Sequence, residues 1–339
     1  MLRRMVAVVL VSCAAVSTAC ATGEPSDELM VSDDPVAATA ARSPAATAEP
    51  AGTVHALDAT PTSMIVDART RLLAVAVDKP PAVLLYPIDD QGGLGAPSKV
   101  ALPGPADTLS LARPGGPLLA AAGSSGDLIR ITLPGGAARP AAIGGEPVNA
   151  ADVGDRTLVA MRDRKAVAEL GSGDKVDRMI SGGLYSADRV LTDGKQAVVF
   201  DRLRNALFAL DLRAGTVDEG LRAGEGSTNA VTDRFGRVLV TDTRGGALLA
   251  FSLDPLLMRQ RFPVKGAPYG LAYDPERDLA WVTLTATNEV VGFDVAGGQP
   301  EEKYRFPTVQ QPDNVAVDPK SGHVIVASAT GKGIQVIAV

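Results

Sequence analysis

The residues of this chain with the most chemical potential recur in two adjacent columns. Laid out by its internal repeats, the sequence places Ser63, Thr108, Asn149, Arg189, Asn229, Gly270 and Asn314 at one position. Thr62, Asp107, Val148, Asp188, Thr228, Tyr269 and Asp313 stand immediately before them. Carboxylates and amides that converge on a ring offer the oxygen ligands a hard cation such as Ca²⁺ takes. Asp107, Asn149, Asn229 and Asp313 are therefore the candidate metal ligands, and with Asp188 and Asn314 they form a candidate ligand-binding ring. The same residue types suit the turn that enters a strand, because Asn and Asp bond to their own backbone. Both readings stay open at this point.

A second set is basic. Lys79, Arg162, Arg164, Lys165, Arg202, Arg204, Arg244 and Lys332 fall in polar loops, diluted by Asp78, Asp163, Asp201 and Asp242. Gathered round one opening, Arg162, Arg164, Arg202 and Arg204 would attract an anion. Dispersed, they would be a solvated rim.

Other chemistry lacks its residues. There is no Walker-type loop, no GxGxxG and no GxSxG elbow. The chain has two histidines, His55 and His323. A Ser-His-Asp triad or a metal hydrolase needs one placed in the site, whereas these fall on an outer strand and in a turn. Both cysteines, Cys13 and Cys20, lie in the first twenty residues, so the rest has no disulfide, thiol nucleophile or thiolate metal site. The net charge of -6 and 4% aromatics argue against nucleic-acid partners, which call for a basic face and stacking platforms.

The elements that must position these columns repeat. Asp67, Ala112, Val153, Asp193, Asp233, Asp274 and Asp318 mark equivalent points, spaced by 45, 41, 40, 40, 41 and 44 residues. Such a period, filled with strand patterns only, signals a propeller blade. Each repeat runs apolar strand, Gly/Asp/Arg turn, second apolar strand such as Leu279-Ala280-Trp281-Val282, polar loop, third alternating strand, and a polar fourth strand such as Lys303-Tyr304-Arg305-Phe306. The last repeat stops after its third strand at Ile334-Gln335-Val336-Ile337. A spare strand, Gly52-Thr53-Val54-His55-Ala56-Leu57, precedes the first. Pairing the two would close the ring and remove an exposed edge. The expected fold is all-β: a seven-bladed β-propeller over residues 51–339, with four-stranded antiparallel blades closed by an N-terminal strand.

Before the repeats, residues 1–20 carry Arg3 and Arg4 and then an apolar stretch too short to span a bilayer, as in a signal peptide. Ser17-Thr18-Ala19-Cys20 resembles a bacterial lipobox, although Ser17 stands where that pattern prefers Leu. Leu10-Val11-Ser12-Cys13 fits locally but leaves a signal of only twelve residues. Lipidation (palmitate among the acyl groups) is therefore expected on Cys20, with two acyl chains giving stable attachment. Residues 21–50, rich in Ala, Pro, Ser, Thr and acidic residues, read as a flexible tether.

The block Pro268-Tyr269-Gly270-Leu271-Ala272-Tyr273-Asp274-Pro275, with Trp281-Val282-Thr283, Asn288 and Phe293-Asp294, resembles YVTN/NHL-type propeller repeats. Tether and propeller together are similar to mycobacterial, LppL-type lipoproteins. These resemblances imply fold and location rather than an activity. With the tether, the propeller and the absent histidine chemistry, the expectation is a monomeric cell-envelope lipoprotein, anchored on the extracytoplasmic face and binding a protein, a glycan or an anionic ligand. The alternative is a calcium-dependent, lactonase-like or sugar-acid hydrolase with its ion on the polar ring, since lactonase-like propellers hold calcium among such groups. A quinone-cofactor dehydrogenase fits poorly, because those propellers use more Trp and His.

Overall fold

The computed structural model describes residues 34–339. The signal peptide, the lipobox and Cys20 lie outside the described residues. Seven four-stranded antiparallel sheets are arranged round a central channel, so the expected propeller is the observed fold. The innermost strands are Pro61–Asp67, Thr108–Leu111, Pro147–Val153, Arg189–Thr192, Ser227–Thr232, Pro268–Asp274 and Pro312–Val317, one for each of blades 1 to 7. The ring closes as its sequence implied. Thr53–His55 pairs antiparallel with Ile334–Ile337, Thr53 opposite Val336 and His55 opposite Ile334, so blade 7 takes its outer strand from the N-terminal side.

The repeat has a physical origin in the turn after each inner strand. Asp67, Asp193, Asp233, Asp274 and Asp318 accept bonds from backbone N–H groups two to four residues on, as in Asp318 with Lys320 and Ser321. A short carboxylate satisfies turn donors that no ladder reaches. Blades 1 and 7 are also joined by Arg71, whose guanidinium meets Asp318 at 2.5 Å.

Second strands are covered on both faces by neighbouring blades, so they read as unbroken apolar runs. Leu118–Ala122, Val324–Ser328 and Leu279–Leu284 are buried throughout. Much of this packing is Ala and Val, which explains how a ring closes with so few aromatics. Trp281 is the exception. It lies fully buried in blade 6, and a Cβ on Gly292 opposite it would come within 2.9 Å of the indole, so only Gly fits there. Phe200, Val240 and Val326 likewise pack between blades. No helix among the described residues is long and apolar enough to cross a membrane.

Candidate functional site

The channel holds two cavities joined at a waist. The upper one, about 290 Å³, lies where the inner strands begin; the lower one, about 900 Å³, opens where they end. Ser63, Arg189, Asn229, Asp313 and Asn314 line both. The polar columns thus face the channel, but most of their first column is engaged in joining blades.

From every blade but the sixth, a side chain of that column reaches the inner strand of the next. Ser63 Oγ accepts from Leu109 N at 3.0 Å, and Thr108 Oγ1 donates to the Val148 carbonyl at 2.7 Å. Asn149 Oδ1 accepts from Val190 N at 2.8 Å, while its Nδ2 donates back to Thr108 Oγ1 at 3.2 Å. Arg189 donates to the Ala230 carbonyl at 2.7 Å and Asn229 to the Tyr269 carbonyl at 3.1 Å. Asn314 donates to the Pro61 carbonyl at 3.3 Å and completes the circuit. Blade 6 contributes Gly270, where a Cβ would stand 2.9 Å from the Asp313 carbonyl oxygen: here the blades approach too closely for a side chain. The column is a hydrogen-bonded belt. Its amides serve inner-strand groups that the sheet ladders leave unpaired between blades.

The belt bears on the expected metal ligands. Asn149 is buried and lies outside the lining of both cavities, and its amide is used on both sides. Asp107 is held by Gly123 N at 3.0 Å, and Asp313 accepts from Gln311 Nε2 at 2.8 Å. Among the described residues, no three His, Cys, Asp or Glu side chains are grouped to hold a metal ion. Neither His55 nor His323 lines the channel cavities.

The four arginines separate into different roles. Arg162 meets Glu146 at 2.9 Å, Asp188 at 3.0 Å and Asp107 at 3.5 Å, tying blades 2, 3 and 4 together at the upper mouth. Burial pulls its pKa down, but the three carboxylates, Asp188 foremost, outweigh that and raise it. At Asp107 burial prevails and lifts the carboxyl above its usual range, because Arg162 stands nearer the other two acids. Arg204 is buried and structural. It donates to the Gly183 carbonyl and lies over the rings of Tyr185 and Phe208. Arg164 is exposed. Arg202 lines the upper cavity.

Arg189 was read as part of the column but not as a binding residue, and it is the cation at the waist. Among the described residues no carboxylate forms a salt bridge with Arg189 or Arg202, and Arg202 Nε is buried without a partner. Burial, then the proximity of Arg202, pushes the Arg189 pKa down to about 10. Tyr269 and Asp313 complete this part of the lining, and burial raises the pKa of both. Arg189 could have been picked out in the sequence as the column's only charged side chain.

Residues 34–50, read as part of a free tether, form a strap along the upper mouth. Val36 accepts from Arg244 at 3.0 Å and Ala38 from Arg202 at 2.5 Å, both through backbone carbonyls. The carbonyls of Ala41 and Pro44 accept from Gln311 and Asn288, and Ser43 Oγ donates to the Thr285 carbonyl at 2.6 Å. Ala38 and Ser43 are buried. The strap thus crosses from blades 4 and 5 to blades 6 and 7 and roofs Arg202.

The lower cavity went unnoticed in the sequence. Its wall includes Ile65, Val231, Ala272 and Val315, with Phe235 and Tyr273 nearer the opening. These residues read as ordinary inner-strand and turn positions, so nothing in their types announced a funnel.

No protein-family model matches the chain, and no curated protein matches it in sequence. Solved structures do match in shape. A chain titled Kuenenia stuttgartiensis hydrazine synthase superposes with a TM-score of 0.70 at 16% identity, covering 85% of this chain and 98% of that one. A chain of a mitotic checkpoint complex gives 0.71 at 12% identity, with 91% and 98% covered. A streptogramin B lyase structure gives 0.68 at 10% identity, with 85% and 96% covered. At such identities the likeness establishes the seven-bladed ring and nothing about activity.

Proposed function

We propose that this chain is a binding module of the cell envelope, held on the membrane by lipid at Cys20 and presenting its lower funnel outward. The strap is the observation that supports this most. The chain enters the ring at the upper rim, where Val36 meets Arg244. Fifteen residues lie between Cys20 and Val36, a reach of about 55 Å at full extension. An anchor that joins the ring at the upper rim favours that rim facing the membrane, with the open funnel at the opposite pole. A cavity of about 900 Å³ is at the upper end of the sizes that hold small molecules. The similar rings come from a named synthase, a lyase and a multi-protein complex, so the fold itself suits binding of either a small ligand or a partner.

Two measurements test this reading. Cys20→Ala should release the protein from the membrane fraction; retention would overturn the lipid anchor. In vesicles bearing a lipid acceptor dye, a donor on Arg164→Cys at the upper rim should transfer energy more strongly than one on Phe235→Cys at the funnel. Equal or reversed transfer would overturn the orientation.

A further inference from the structure

The funnel combines an apolar wall with a charged floor. Ile65, Val231, Ala272 and Val315 form part of the wall, and Arg189 stands at the waist between the two cavities. One Arg189 nitrogen is committed to the Ala230 carbonyl at 2.7 Å. A guanidinium carries five N–H donors and stays charged; Asp188 acts on it through space and Asp313 lines the same cavities, but no described carboxylate takes up the remaining donors in a salt bridge. Arg202 lies beyond it in the upper cavity, its Nε buried without a partner and its outer nitrogen on Ala38. Two cations near each other repel, and burial together with Arg202 pushes the Arg189 pKa down. An anion seated between them would relieve both. The wider of its two approaches is the funnel, about 900 Å³ against about 290 Å³ above.

We propose that the funnel binds a single-chain amphiphile with an anionic head, the head at Arg189 within reach of Arg202 and the aliphatic chain along the Ile65–Val231–Ala272–Val315 wall. The proposal deepens the reading of an outward-facing binding module and rests on it. The floor's cationic donors choose the head, because a charge-assisted bond is stronger than a neutral one. The wall chooses the chain through burial of each methylene.

Calorimetric titration of the full chain carrying Cys20→Ala tests it without lipid or detergent. The probes, each used as a monomer, are decanoate, decyl phosphate, decanol, decyltrimethylammonium and acetate. Decanoate or decyl phosphate should bind at least tenfold more tightly than decanol, with acetate and the cation weaker still; the better of the two anions identifies the head. Arg189→Met should abolish the preference over decanol while leaving decanol itself unchanged. Val231→Asn should weaken the anionic and neutral chains alike. Decanol matching decanoate, acetate matching decanoate, or the cation binding best would each overturn the proposal. So would no binding by any probe, and that result would leave the orientation measured by energy transfer standing. The comparison among probes uses the unmutated binding site, so it does not depend on whether either variant folds.

Discussion

The two ends of one channel solve opposite problems. At the upper mouth, polar side chains are numerous, yet nearly all are spent on the molecule itself: the belt joins blades, Arg162 gathers three carboxylates, and the strap occupies Arg202, Arg244, Asn288 and Gln311. At the lower mouth, polar groups such as Asp193, Lys195, Asp233 and Arg234 alternate with apolar side chains round a wider space, and the waist arginine keeps donors in reserve. A dense set of Asp, Asn and Arg is therefore no guide to a binding site by itself. What matters is how many of their hydrogen bonds the fold has already used.

This contrast can be tested end by end, beginning with the largest effect. Gly270→Val forces a side chain against Thr283 Oγ1 and the Asp313 carbonyl, at 2.8 and 2.9 Å from its Cβ. Overpacking of this kind costs about 3 kcal/mol, which denaturant unfolding should show as a lower midpoint. If Gly270→Val unfolds at the unmutated midpoint, the close approach of blades 6 and 7 is not a constraint.

Asn149→Ala removes the bond to Val190 N and leaves a buried donor unpaired, at a cost of about 2 kcal/mol. It should lower the thermal midpoint without changing decanoate affinity, whereas Arg189→Met, which also loses the belt bond to Ala230, should lower the affinity. A decanoate affinity that falls with Asn149→Ala would erase the division between belt and site. Ser43→Ala takes away the bonds to Thr285 O and from Gln311 N. The expected loss is about 1 kcal/mol, confined to the strap: amide exchange should quicken over residues 36–45 and stay unchanged in the blades. Exchange that quickens in all blades together would show that the strap is part of the global fold.

The smallest effect is pH-dependent. Burial raises the Asp313 pKa in the folded chain, so the folded state holds its proton to higher pH than the unfolded chain does. Stability from this group is present below the unfolded carboxylate pKa and is lost as pH rises through the folded one. Asp313→Asn should therefore raise the thermal midpoint slightly at neutral pH, with the difference vanishing as the pH falls below the ordinary carboxylate range. A variant less stable than the unmodified chain at neutral pH would show that the charge at Asp313 is compensated.

Much of the architecture was legible because local chemistry repeats. Asp at the end of an inner strand caps the same turn in blades 1, 4, 5, 6 and 7, and the unpaired strand at each chain end told how the ring closes. Apart from blade 3, whose Val148 and Asn149 lie outside both cavities, the two polar columns line the channel. Their occupation was not legible: Asn149 and Asn229 bond to groups in other blades about forty residues away, and one sequence does not state which distant carbonyl a side chain will meet. The strap was missed for a related reason. Its composition, poor in aliphatic residues, argued for a free chain, but it is held by side chains of the ring acting on its carbonyls, which any residue can supply.

The sequence by itself determined the number of blades, the phase of the strands, the closing strand and the columns that line the channel, because period and turn chemistry are local properties repeated along the chain. Only the tertiary structure decided which polar groups were spent and which were spare. It set Arg189 near Arg202 with no salt bridge to either and laid the strap along the rim of the upper mouth. Those outcomes depend on distances between blades, which are fixed when the ring closes.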